Sequence, residues 1–174
     1  VIVVTSHGYF VGIVVDGVSE VLRIDKDTVE ALIPALAKEA ELSDITDICR
    51  LNNGERLVSI LSIERFFDSE NLQETISELV EENMLEQENS DHDYTDDDME
   101  DDNQVVVFTL NHEEFAVPIT SIQEIVRIPD ELIRVPKSPD FLEGVINLRG
   151  IVLPVVDLRR RLEIEGSERS ERQR

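Results

Sequence analysis

Val18-Ser19-Glu20-Val21-Leu22-Arg23-Ile24 and Ile122-Gln123-Glu124-Ile125-Val126-Arg127-Ile128 are two copies of one motif. Each sets a Glu and an Arg at matched places among aliphatic residues. Working outward, the copies bring matching surroundings. Before the first lie Val1–Val4 and Tyr9–Val15; before the second lie Val105–Leu110 and Glu114–Ile119. After the first come Ile45–Leu51, Gly54, Leu57–Ile63 and the charged stretch Glu64–Phe67; after the second come Gly144–Leu148, Gly150, Ile151–Val156 and Asp157–Leu162. The apolar runs are short and rich in Val and Ile, whose branching at Cβ suits strands better than helices. Turn residues separate them: Gly8, Gly17, Asn52-Asn53-Gly54, Asn111-His112 and Arg149-Gly150. Each block therefore reads as five short strands closed by a short helix, and closure into a small barrel removes the exposed edges. A block of about 65 residues is marginal alone. Two barrels side by side would bury each other's apolar outer faces, so the repeat predicts a mainly β chain with two barrels related by a pseudo-twofold.

The remaining segments divide the chain into 1–68, 69–103, 104–163 and a polar tail 164–174. Thr28–Leu42 contains Pro34, which argues against a continuous helix, and reads as a loop with a helical turn. From Ser69 to Gln87 the period changes: Leu72, Ile76, Leu79, Val80 and Leu85 share one helical face, with Asp68 or Ser69 placed to cap the start. Glu88–Asn103 has no periodicity, and its Asp run repels itself; it is expected to be a disordered linker.

The net charge of −23 is unevenly spread. Fifteen Asp and Glu and no Lys or Arg fall in 69–103, leaving −8 for the rest of the chain. This balance argues against nucleic-acid binding and against attraction to anionic membranes. Cys49 is the only cysteine, so no internal disulfide can form. With no signal peptide read and no apolar run long enough to span a bilayer, a reducing cytoplasm is the expected location, without membrane insertion.

The stretch Phe141-Leu142-Glu143-Gly144-Val145-Ile146-Asn147-Leu148-Arg149-Gly150, with Leu153-Pro154-Val155-Val156-Asp157-Leu158-Arg159, closely resembles the signature of the CheW family. So do Gly12–Leu22 and Gly54-Glu55-Arg56-Leu57-Val58-Ser59-Ile60-Leu61. The resemblance covers nearly all of 1–67 and 104–163, and it implies two SH3-like five-stranded barrels. The order departs from the family: residues 104–163 resemble its first barrel and residues 1–67 its second. Either a circular permutation or a window from a tandem array of such domains gives this order, and in both cases the blocks are expected to form one composite domain, within one chain or by exchange between two.

The resemblance implies an adaptor that links chemoreceptor tip helices to a CheA-type histidine kinase and pairs with the kinase's regulatory domain and other CheW-like domains. It would need no cofactor, no metal and no catalytic residue. Arg149 and Gly150 match the family's receptor-binding region; Ile122, Glu124 and Gly144 match one wall of its groove, and Val21 the opposite wall. A bend arginine can equally be solvated or brace a carboxylate, and the apolar positions can equally be core. A regulatory-domain fragment of a CheA kinase shares the fold and is the nearest alternative. A carboxylate hydrolase built on Asp16 and Asp157 is the alternative from another class, although turn or cap roles suit both residues better. His7, His92, His112 and Cys49 lack ligand spacing, and the Asp run lacks the Gly and terminal Glu of a calcium loop.

Overall fold

The computed structural model describes residues 1–6, 8–32, 44–68, 72–73, 76–77, 103–128 and 132–164. Among them are eleven strands: β1 (Ile2–Ser6), β2 (Tyr9–Val14), β3 (Gly17–Arg23), β4 (Val29–Ala31), β5 (Ile45–Leu51), β6 (Arg56–Leu61), β7 (Gln104–Leu110), β8 (Glu113–Pro118), β9 (Ile122–Ile125), β10 (Leu142–Leu148) and β11 (Ile151–Asp157). Two short helices follow β6 and β11: α1 (Ile63–Phe67) and α2 (Leu158–Arg161).

The strands form two sheets, in the orders β10-β11-β2-β1-β9 and β3-β7-β8-β6-β5-β4. Their pairing repeats under a pseudo-twofold. The hairpins β1–β2 and β7–β8 correspond; β2 lies parallel to β11 as β8 lies parallel to β6. Val155 opposite Gly12 matches Ile60 opposite Ala116. Register shifts recur at matching points, between Leu142 and Gly144 in one sheet and between Ile45 and Asp47 in the other. Each terminal helix is capped the same way: Ser62 Oγ accepts from Arg65 N–H, and Asp157 Oδ1 accepts from Arg159 N–H.

The blocks 1–68 and 104–163 describe the repeat but not the sheets. The hairpin of each block inserts into the sheet of the other, so one barrel per block is corrected to two sheets of mixed origin. The cause lies in β1 and β7, which are apolar on both faces. Ile2 and Val4 face a central cluster while Val3 faces the interior of one sheet; Val106, Phe108 and Leu110 face that same central cluster while Val105 and Val107 face the interior of the other. A strand with two apolar faces needs cover on both, and insertion into the opposite sheet supplies it. The central cluster draws on both blocks, from Val11 and Leu61 to Phe115 and Val156, as expected for barrels burying each other's outer faces.

Most expected strands are present. Two differences have simple causes. Val29–Ala31, read as loop, forms the edge strand β4 against β5; three residues are too short to show a period. The motif at 122–128 is strand as far as Ile125; Val126 still exchanges backbone hydrogen bonds with Val1 (2.9 and 2.7 Å), and Val126 and Ile128 pack against the cluster that holds Leu153 and Val155. The helix read over Ser69–Gln87 is helical at its described positions 72–73 and 76–77, with Leu72 and Ile76 buried in the central cluster. Leu79, Val80, Leu85, Pro34, the linker 88–102 and the tail from 165 lie outside the described residues.

Helix α2 locks the blocks together through buried charge. Arg159 donates from Nη1 to Asp16 Oδ1 (3.1 Å) and from Nη2 to Asp157 Oδ2 (3.1 Å). Burial opposes its charge, but Asp157, Asp16 and Glu143 outweigh that and raise its pKa. Asp16 also accepts from the Asn111 N–H (2.6 Å), so the two aspartates serve a cap, a turn and a shared arginine. Two residues on, Arg161 pairs with the buried Asp44 (3.2 Å) and lies 5.5 Å from the centre of the Phe141 ring. Replacing Arg159 with Leu strands two carboxylates against a core that no longer neutralises them. Arg159→Leu is expected to destabilise the fold by about 3–5 kcal/mol, read from urea unfolding; a loss below about 1 kcal/mol would mean that the pairing adds little to block closure.

Candidate functional site

The hairpin β10–β11 turns at Arg149 and Gly150, which take positive φ angles of 54° and 90°. Asn147 fixes the turn, its Oδ1 accepting from the Gly150 N–H at 2.8 Å. Left-handed backbone at two successive residues throws the Arg149 side chain out from the tip, where it is 78% exposed. Its guanidinium reaches Glu124 of β9 through both nitrogens, at 3.2 and 3.1 Å. In the sheet order β9 and the β10–β11 hairpin stand at opposite ends, so this ion pair spans the seam where the curled sheet closes.

The second sheet repeats the device with a different outcome. Glu20 stands in the first motif where Glu124 stands in the second. It accepts from Arg56 Nη2 (2.7 Å), and Glu114 takes the same guanidinium in a bidentate grip at 2.6 and 2.8 Å. Arg56 is thus held by two carboxylates and is 28% exposed. Arg149 has one partner in the described residues and keeps most of its surface in water. The arginine fork suits a planar carboxylate, and Arg56 holds two of them where Arg149 holds one among the described residues.

The other expected site residues divide. Ile122 is half-buried and packs on the central cluster, so its role is partly core. Val21 is 53% exposed on β3, the strand that matches β9; Val18 beside it and Ile125 on β9 are also exposed. Both edge strands therefore offer aliphatic side chains to solvent, a feature that soluble chains otherwise restrict. Gly144 is buried, and its wall-forming role is steric. Its φ is 149°, and a Cβ there would lie 2.5 Å from the Ile133 carbonyl oxygen, where the 132–133 segment bridges to Val145. Sequence reasoning passed over Ile125 and Arg56. Comparing the two motif copies position by position brings out Ile125 as the partner of Val21; Arg56 has no such signal, because its partners meet only in the fold.

Among the described residues no group of His, Cys, Asp and Glu is arranged to hold a metal ion, and no helix is long and apolar enough to cross a membrane.

Two pseudo-twofold, SH3-like barrels packed on a central cluster, with an arginine-tipped hairpin and exposed aliphatic edges, define a two-barrel β module. The chain belongs to the family of CheW-like domains, whose family model matches residues 1–71 and 104–174. Proteins named chemotaxis protein CheW are similar to it. That of Klebsiella aerogenes is 43% identical over 61 residues, covering 35% of this chain and 36% of the relative. That of Helicobacter pylori is 38% identical over 74 residues (42% and 44%), and that of Bacillus subtilis 41% over 64 residues (37% and 40%). The chain spans about two-fifths of the length of these curated relatives. A crystal structure of the scaffolding protein TtCheW from Thermoanaerobacter tengcongensis shares the fold, with a TM-score of 0.54 over 96% of this chain and 94% of that one, at 14% identity.

Two consequences can be measured. Gly144→Ala combines a strained φ with a carbonyl clash and is expected to cost about 1–3 kcal/mol in urea unfolding; a neutral result would show that the 132–133 segment moves aside. The hydrogen bonds from Arg56 hold the Glu114 carboxyl below the usual carboxylate range. A carboxyl depressed in the fold adds stability that is complete above its unfolded pKa, about 4.3, and is lost as pH falls through its folded value. Wild type should therefore exceed Glu114→Gln by about 1 kcal/mol at pH 7, and the gap should narrow as pH falls below the unfolded value. A gap that did not change with pH would remove the ionised Glu114 from the clamp.

Proposed function

We propose that this module is an adaptor that couples chemoreceptor tip helices to a CheA-type histidine kinase, through protein contacts alone and in the cytoplasm. The observation that carries the reading is Arg149, held by Glu124 yet 78% exposed at the tip of a rigid turn. Membership of the CheW-like family supports it, as do relatives named for chemotaxis and a relative titled a scaffolding protein. On this reading Arg149 and Gly150 supply the polar anchor, Ile122 and Glu124 one wall, and Val21 the opposite wall. Gly144 lets the 132–133 segment pack closely behind. A helical hairpin would lay its apolar face between the edge strands, which is the helix-in-groove mode. The kinase regulatory domain and other CheW-like domains are the remaining partners.

The block order belongs to the same proposal: residues 104–163 act as the family's first half and residues 1–68 as its second. The match of the family model in two separate segments supports two complete halves.

The test is titration of the full chain with a receptor-tip hairpin and with a kinase regulatory domain, comparing wild type with Arg149→Ala. Because Arg149 is exposed, the variant should fold as wild type does and bind the hairpin about tenfold or more weakly, as loss of an interface arginine costs upwards of about 1 kcal/mol. Unchanged affinity in the variant would remove Arg149 from the interface. Failure of folded wild type to bind either partner would overturn the adaptor reading.

A further inference from the structure

The pseudo-twofold makes the surfaces beyond α1 and α2 comparable, and they differ. Beyond α1 the chain passes Phe67 and Asp68 into the helical positions 72–73 and 76–77, and Leu72 and Ile76 sink into the central cluster at 0% and 5% exposure. The cleft left there is about 360 Å³ and is lined by Tyr9, Phe67, Asp68 and Ile76 among others. Beyond α2 the residues matching Phe67, Asp68 and Tyr9 are Leu162, Glu163 and Glu113, and they line a cleft of about 740 Å³. The positions that match Leu72 and Ile76, counted from the helix caps Ser62 and Asp157, are Ser167 and Glu171. No residue from 165 to 174 is apolar. The larger cleft therefore has the form of the smaller one without the pair of aliphatic side chains that fills it.

Its lining states what would fit. The apolar part is Ile45, Leu57, Phe115, Leu162 and Ile164, with Leu57 54% exposed. The rim carries Glu55, Glu113 and Glu163, all exposed. The one lining cation, Arg56, is already held by Glu20 and Glu114. We propose that this cleft docks a basic amphipathic helix of a partner protein, which inserts two aliphatic side chains four residues apart and sets Lys or Arg against the glutamate rim. The spacing is that of Leu72 and Ile76, the pair that fills the matching cleft. The charge excludes this chain's own helix in a second copy as the occupant, since Glu74 and Glu78 flank that pair. The cleft involves β6, β8 and the end of α2, and none of Arg149, Glu124, Ile122 or Val21, so it stands or falls apart from the adaptor reading.

The test uses the full chain and a labelled helical peptide with Leu and Ile at i and i+4 and Lys at the flanking exposed positions. Its controls are the same peptide with Glu flanks and with Ala at the aliphatic pair. The basic peptide should bind, with NMR shift changes at Leu57, Phe115 and Leu162. Both controls should bind at least about tenfold more weakly, and the affinity should fall as salt is raised. Leu57→Asp and Glu113→Lys, both at exposed positions, should each reduce binding while leaving the unfolding midpoint near that of wild type. No binding by folded wild type, equal binding of the Glu-flanked peptide, or shift changes confined to other surfaces would each overturn the proposal. So would a large loss of stability in Leu57→Asp with no peptide bound, which would show that the chain covers the cleft itself.

Discussion

Everything in this module depends on two strands that are apolar on both faces. β1 and β7 cannot lie on the outside of a sheet without exposing Ile2 and Val4 or Val106 and Phe108 to water. Burying a side chain of that size is worth about 1.5–3 kcal/mol, so a block that kept its own hairpin outermost would forgo several such contributions. Lodging each hairpin in the opposite sheet covers both faces at once. It also brings about the parallel pairings β2–β11 and β6–β8, which no tight turn could connect. The part-buried pairs Arg159–Asp16 and Arg161–Asp44 then fasten α2 to the other block, where reduced access of water strengthens the attraction between charges.

Symmetry this close makes its failures informative. The third-strand glutamate is kept in both motifs and meets an arginine in both sheets, but one arginine is enclosed by a second carboxylate and the other is left in solvent. The bulge on β5 places Asp47 in a three-residue ladder with β4, whereas the bulge on β10 places Gly144 under a single bridge from Ile133. The closer approach of that segment is possible only because position 144 has no side chain. The space beyond α1 is filled by Leu72 and Ile76, and the space beyond α2 is open among the described residues. A twofold core asks for none of these differences. The solvated arginine and the open cleft fall at the surface, whereas Gly144 and the Leu72–Ile76 pair differ in the interior.

The fold was legible because it is periodic and repeated. Short Val- and Ile-rich runs between Asn, Gly and Arg-Gly turns mark the strands, and positive φ at Asn52, Asn53, Asn111 and Gly150 is what those turn sequences imply. The pairing was not legible. Strand periodicity says which faces are apolar and not which neighbour covers them, so the exchange of hairpins between blocks could not be read from either motif. The site was legible in part. Arg149 and Glu124 were both named from the resemblance, but their bond crosses a seam that exists only once the sheet has curled. Gly144 was named as a wall, and its steric reason needs the Ile133 carbonyl, eleven residues away along the chain.

On the proposed block order, the mixed sheets let the same architecture close whichever block the chain visits first. The strand pairings between blocks come in twos under the twofold: β2–β11 with β6–β8, and β1–β9 with β3–β7. Closure therefore requires one hairpin and one sheet-forming remainder from each block, and it does not depend on which block the chain visits first. The connection between Asp68 and Asn103 adds no strand to either described sheet. It needs only to keep the blocks within reach, and a chain of 35 residues spans about 30 Å even when it is flexible. The insertion can nonetheless be long and acidic, because of its described residues only Leu72 and Ile76 enter the central cluster, and the rest of that cluster comes from the residues on either side of it.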